Sequence, residues 1–284
     1  MTEGHDIDIR ENVQFGVHDG DLLTGDYYAP SGPGPYPALV AIHGGGWQHR
    51  TGEIYQYWGP YLAHRGYVLF AMKYRLVQGA KNRYPAAVHD TRAAVQFLRS
   101  QAAALKVDPS RLGFMGDSAG AHLASLVALS GDSPPFSGAY PHDPYAGVRT
   151  QVKVVVGVYG VYDLLAQWHH DQLTRPRDHI TEIFLGKSPM ENKHLFYEAS
   201  PLTYTTIDRN QTAFLVAWGT EDDIADPRSQ SQAFVTALKQ AGFFVRTVVV
   251  PGAPHFWMRD PIDEPTSHTG FLAPRLLRFL QNQL

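Results

Sequence analysis

The chain has 284 residues, 44% of them hydrophobic and 18% charged, a composition with ample material for a core and unlike that of a disordered chain. Against 27 Asp and Glu stand 24 Lys and Arg, a formal net charge of −3, and no basic run supplies the electrostatic footprint of a nucleic-acid binder. The absence of cysteine excludes disulfides, thiolate metal sites and a cysteine nucleophile.

The start, Met1 to Arg10, is polar and acidic and lacks the apolar stretch of a signal peptide. No apolar run approaches the roughly 20 residues of a membrane span. A cytoplasmic location is the default expectation. Two alternating segments, Ile7–Val17 and Leu22–Ala29, flank the turn at 18–21 and predict an antiparallel hairpin at a sheet edge. After the Pro- and Gly-rich loop at 31–35, short apolar runs alternate with helical stretches. The runs are Ala38–Ile42, Val68–Met72, Leu112–Met115, Val152–Tyr159, Ala213–Trp218 and Val245–Val250. The helical stretches are Tyr57–Arg65, Ala86–Leu105, Ala119–Ser130, Ser229–Ala241 and a closing one around Leu272–Leu280. Continuous apolar strands alternating with helices predict a mostly parallel sheet covered on both faces, in a single α/β domain.

Two stretches break this rhythm. Residues 131–150 are rich in Pro, Gly and Tyr, and 162–210 form a long segment with many His and aromatic residues. Long insertions of this kind act as lids or binding loops, or decorate the surface. They are expected to form a small cap over the strand ends.

The chemistry centres on Gly116-Asp117-Ser118-Ala119-Gly120, between an apolar strand and a helix. A serine on a sharp strand-to-helix turn is held in a strained conformation with its hydroxyl exposed above the sheet. Acyl transfer through serine also needs a base, an orienting acid and donors for the oxyanion. His43-Gly44-Gly45-Gly46-Trp47 directly follows a strand, and successive glycines bare their amides to a substrate oxygen. The Ala119 amide, just past the nucleophile, is the second source of donors. The acid is expected after the run ending at Trp218, where Glu221, Asp222, Asp223 and Asp226 all stand as candidates. His255, in the loop after the run ending at Val250, is the base, and the order Ser, Asp, His suits this architecture. Hydrolysis should then fall in acid, because an imidazolium cannot take the serine proton.

Other histidines lack such a placement. His43 reads as a brace for the glycine loop, His122 as a packing residue, and His169-His170-Asp171 as surface or cap residues without a third metal ligand. Tyr140, Tyr145, Tyr159, Trp168, Tyr197 and Trp257 either line an aromatic pocket or pack the core and cap, with packing favoured.

The segments HGGGW, GDSAG, GTEDDI and PGAPHFW, in that order, resemble the α/β-hydrolase superfamily. Within it they resemble the serine esterase/lipase group with hormone-sensitive-lipase-like and bifunctional feruloyl/acetyl-xylan-esterase-like members. The likeness runs from about Ala38 to the C-terminus, and the stretch Tyr84–Asp90 also resembles one these enzymes carry. Trp257 and the run toward Glu264-Pro265 lean toward the feruloyl/acetyl-xylan branch, whereas Pro254 departs from the usual glycine. The resemblance implies Asp222 as the acid, with Asp223 as fallback, and Gly45, Gly46 and Ala119 as oxyanion donors. It implies hydrolysis of small-molecule esters of short or aryl acyl groups, with no cofactor and no metal. Two rivals remain: an amidase or aryl-formamidase, which has a closely similar glycine-rich loop, and a catalytically silent ligand-binding member of the fold. A homodimer through the exposed terminal strands is compatible with the sequence.

Overall fold

A computed structural model describes residues 6–284; the reading of the polar start falls partly on residues 1–5, which lie outside the described residues. Eight strands among the described residues form one sheet: β1 (Ile7–His18), β2 (Asp21–Pro30), β3 (Tyr36–Ile42), β4 (Val68–Lys73), β5 (Val107–Asp117), β6 (Val154–Val158), β7 (Ala213–Gly219) and β8 (Val245–Val250). Their spatial order is β1-β2-β4-β3-β5-β6-β7-β8. The β1–β2 hairpin is antiparallel and joins β4 antiparallel, while all pairs from β4 to β8 are parallel. The alternating edge hairpin and the continuous apolar interior strands explain this split, since only interior parallel strands are buried on both faces.

Helices cover both faces: α1 (Tyr55–Ala63), α2 (Ala86–Ser100), α3 (Ala119–Ser130), α7 (Ala233–Gln240) and α8 (His268–Gln283). Along β3, Val40 and Ile42 join a core cluster with α2, α3 and α7, whereas Leu39 and Ala41 join a second cluster with α1 and α8. The two-residue period of the strand thus feeds two cores from one apolar run. Segment 162–210 carries α4 (Leu164–Thr174), α5 (Ile180–Leu185) and α6 (Lys193–Glu198), while 131–150 consists of turns and bends. No helix among the described residues is long and apolar enough to cross a membrane.

Some boundaries differ from expectation. Helix α2 stops at Ser100 rather than Leu105, because the chain must reverse into β5 and does so through Lys106 at φ 54°. Strand β6 ends at Val158, where Tyr159 turns to φ 38°. The stretch from Ser229 opens as a π-helical turn over Arg228–Gln232 before α7 begins.

Candidate active site

The loops after β3, β5, β7 and β8 converge at the carboxyl ends of the strands, where open α/β sheets hold their ligands. Ser118 sits between β5 and α3 at φ 51°, ψ −119°, a conformation costly for a residue with a side chain. The tight turn depends on Gly120, where a Cβ would lie 1.9 Å from the Ile42 carbonyl oxygen. The Ser118 amide donates to the Val158 carbonyl at 2.9 Å, pinning the elbow to β6.

His255 bridges Ser118 and Asp222. Its Nδ1 lies 2.8 Å from Asp222 Oδ2 and its Nε2 3.0 Å from Ser118 Oγ. A carboxylate only accepts, so Nδ1 carries the proton and Nε2 is left to accept from the serine hydroxyl. Asp222 Oδ1 accepts from the amides of Ile224 at 3.0 Å and Ala225 at 2.9 Å. Of the four candidate carboxylates, Asp222 is the one bonded to His255; Asp223 is exposed.

The glycine loop is held by its neighbours. The Gly44 amide donates to Asp117 Oδ1 at 3.1 Å, and Tyr74 donates to the carbonyls of His43 and Gly44, each at 3.1 Å. His43 stacks on Tyr74 at 4.3 Å and donates from Nδ1 to the Gly44 carbonyl at 2.8 Å; burial pushes its pKa down to about 4, so it stays neutral. Gly45 turns at φ 98°, where a Cβ would meet the His49 carbonyl oxygen at 2.2 Å. Unlike the Gly44 amide, those of Gly45 and Gly46 donate to no other group among the described residues. Trp47, 1% exposed, donates from its indole to His122 Nδ1 at 3.2 Å, and His122 Nε2 donates to the Ala199 carbonyl at 2.7 Å. These bonds tie the glycine loop, through α3, to segment 162–210.

Ser118, Ala119, His255, Gly45 and Gly46 line one cavity of about 690 Å³. Its apolar wall comes from Trp47, Val161, Ile180, Ile224 and Phe256, and its polar wall from Gln167, Asp171, Arg175, Arg177, Asp178 and Arg259. None of the six aromatics weighed as pocket lining belongs to it. Tyr159 and Trp257 are buried and pack on one another, with Tyr159 against His255. Tyr140 stacks on His18, Tyr145 packs on Phe97, Trp168 donates to Glu182, and Tyr197 is exposed. The aromatics that do reach the cavity, Trp47 and Phe256, stand inside the motif loops themselves.

His170, from the His169-His170-Asp171 run, donates from Nε2 to the Asp223 carbonyl at 2.8 Å. Sequence reasoning passed over Asp117 and the polar stripe on α4. The signal for Asp117 was its fixed place beside Ser118. A polar helical stripe with Asp171 and Arg175 at i, i+4 reads equally as a solvated face, so α4 carried none.

This fold, with a serine elbow, a histidine and a carboxylate in contact at the strand ends, defines an α/β-hydrolase of the serine-esterase group. The chain belongs to the BD-FAE family, whose model matches residues 26–238. Esterase LipC of Mycobacterium tuberculosis is 30% identical over 273 residues, 91% of this chain and 63% of LipC. Kynurenine formamidase of Salmo salar is 28% identical over 247 residues, 86% of this chain and 74% of that protein. A truncated carbohydrate esterase from gut microbiota superposes with a TM-score of 0.78 at 21% identity, covering 100% of this chain and 98% of that one. The chain thus spans less than two thirds of LipC.

Proposed function

We propose that the chain hydrolyses carboxylic esters of short or aryl acyl groups through an acyl-enzyme. The observation that carries this reading is the unbroken hydrogen-bonded line from Ser118 through His255 to Asp222, open to a cavity shared with Gly45 and Gly46. Ser118 Oγ attacks the acyl carbonyl as His255 Nε2 takes its proton, and Asp222 holds the ring and stabilises the imidazolium. The amides of Gly45, Gly46 and Ala119 receive the oxyanion, where losing one donor typically costs about 3–4 kcal/mol. The imidazolium returns its proton to the departing alcohol; water, activated by the same nitrogen, then releases the acid. The whole chain acts as one hydrolase domain, with 131–150 and 162–210 as cap elements.

The test is hydrolysis of nitrophenyl esters from acetate to octanoate by wild type and Ser118→Ala. Turnover by wild type alone, with fluorophosphonate labelling of Ser118, is expected; equal rates in both proteins would overturn the assignment. A second reading, aryl-formamidase activity, draws on the formamidase relative. Faster turnover of a formanilide than of a phenyl ester would favour it.

A further inference from the structure

The loop that carries Asp222 is held from two sides. The peptide unit joining Asp223 to Ile224 donates its N–H to Asp222 Oδ1 at 3.0 Å, and its carbonyl accepts from His170 Nε2 at 2.8 Å. The next unit, Ile224 to Ala225, donates its N–H to the same oxygen at 2.9 Å. Its carbonyl accepts from Gln167 Nε2 at 2.8 Å and Arg175 Nη2 at 3.4 Å. In a trans peptide the N–H and C=O point in opposite directions within one rigid plane. Each plane is therefore pinned at both ends, to the carboxylate on one side and to α4 on the other.

Gln167 is itself seated by chemistry. Its Nε2 has two hydrogens, one for the Ile224 carbonyl and one for Asp171 Oδ1 at 2.9 Å. Both partners are acceptors, so the amide cannot be reversed without opposing oxygen to oxygen. Asp171 is 2% exposed and is shared with Arg175 at 2.5 Å. Rotating either peptide plane away from Asp222 would break a contact to α4 in the same motion.

We propose that Gln167, seated by Asp171, is a positioning residue for the acid: it fixes the Ile224–Ala225 peptide plane, one of the two that aim Asp222 at His255. Helix α4 thus has a part in catalysis separate from lining the cavity. This rests on the reading of Ser118, His255 and Asp222 as the reacting set.

The test is a double-mutant cycle on nitrophenyl acetate with Gln167→Ala, Asp222→Asn and the pair, reading kcat and KM separately. Gln167→Ala should lower kcat by about 10- to 100-fold with KM changed by less than about twofold. With Asp222→Asn already present, the same substitution should cost less than about twofold in kcat, because the group it acts through is gone. An equal loss of kcat in both backgrounds, or a rise in KM alone, would overturn the proposal. Asp222→Asn with undiminished kcat would instead overturn the acid assignment on which it rests. If Gln167→Ala does not fold, His170→Ala, at a half-buried position on the same helix and bonded to the neighbouring peptide plane, carries the cycle: a kcat loss confined to the Asp222 background supports the proposal and an additive loss defeats it.

Discussion

Asp117 follows Gly116 and precedes Ser118, yet its carboxylate serves the glycine loop. Its Oδ1 accepts from the Gly44 amide at 3.1 Å and from the Tyr55 hydroxyl at 3.2 Å, and Tyr55 also donates to the Ile42 carbonyl. Burial pushes its pKa up to about 6, against the opposing pull of these donors. A carboxyl raised in the folded state withdraws stability as pH climbs from its unfolded value, near 4, through about 6. Asparagine keeps the accepting oxygen and discards the charge. Asp117→Asn should therefore gain in melting temperature relative to wild type as pH rises from 4 to 7, with the gain complete above about 6. A difference between the two proteins that does not change with pH would contradict this. Asp117→Ala strands the Gly44 N–H and should cost about 1–3 kcal/mol at pH 4, measured by urea denaturation, with the cost shrinking as pH rises through 6 because the same raised carboxyl is gone.

At the scale of elements, a buried ion cluster fastens the 131–150 stretch to the sheet edge. His18, the last residue of β1, lies 2.8 Å from both Asp90 Oδ1 on α2 and Asp143 Oδ2, with Tyr140 stacked on its ring at 3.8 Å. Burial alone would lower the pKa of His18, but the two carboxylates together outweigh it and the pKa is raised. The stabilisation is complete below the unfolded histidine value near 6.5 and is lost as pH rises through the higher folded value. Once neutral, the ring has one N–H for two carboxylates. Asp90 keeps Arg75, which donates to it from the backbone and the guanidinium, whereas the tie to Asp143 rests on His18 and weakens when the ring loses its charge. Hydrogen-exchange protection over 131–150, corrected for intrinsic rates, should drop between pH 6.5 and 9 in wild type. It should be low throughout in His18→Phe, and pH-independent protection in wild type would refute the clamp. None of this was legible in the sequence, where His18 and Asp19 read only as a turn. The interior strands were legible because burial on both faces leaves an apolar run whatever surrounds it. The segments GDSAG, GTEDDI and PGAPHFW likewise carry the three side chains that the fold brings into contact. The choice among the four carboxylates after β7 was not readable from residue types, since it depends on how the peptide planes at 223–225 turn. Nor was the cavity wall, because the residues of α4 that build it look like any polar helix face.

Across the whole molecule, buried histidines set the response to acid. His43 and His122, at the glycine loop, and His89, on α2, are each pushed down by burial to about 4. His122 shows why protonation is resisted: Nε2 already donates to Ala199, so a second proton would fall on Nδ1, against the Trp47 indole N–H. A histidine lowered in the fold makes the unfolded chain the better proton acceptor between its two pKa values. Stability contributed by the neutral form is therefore present above about 6.5 and lost as pH falls toward 4. Each of the three costs on the order of 1–2 kcal/mol by pH 5. One group opposes them and a second does not change below about 6.5. Asp117 returns stability as pH falls through 6, and His18 holds its ion pairs throughout the acid range. Three losses against one gain and one constant give a net decline that begins above the range where ordinary carboxylates titrate. Two of the three histidines brace the loop of Gly45 and Gly46, so activity should fail alongside the fold. Calorimetry at pH 7, 6 and 5 should show a melting temperature that falls at each step, by several degrees in all, with residual esterase activity after heating falling in parallel. A melting temperature equal at pH 7 and 5 would mean that these rings are not held neutral inside the protein.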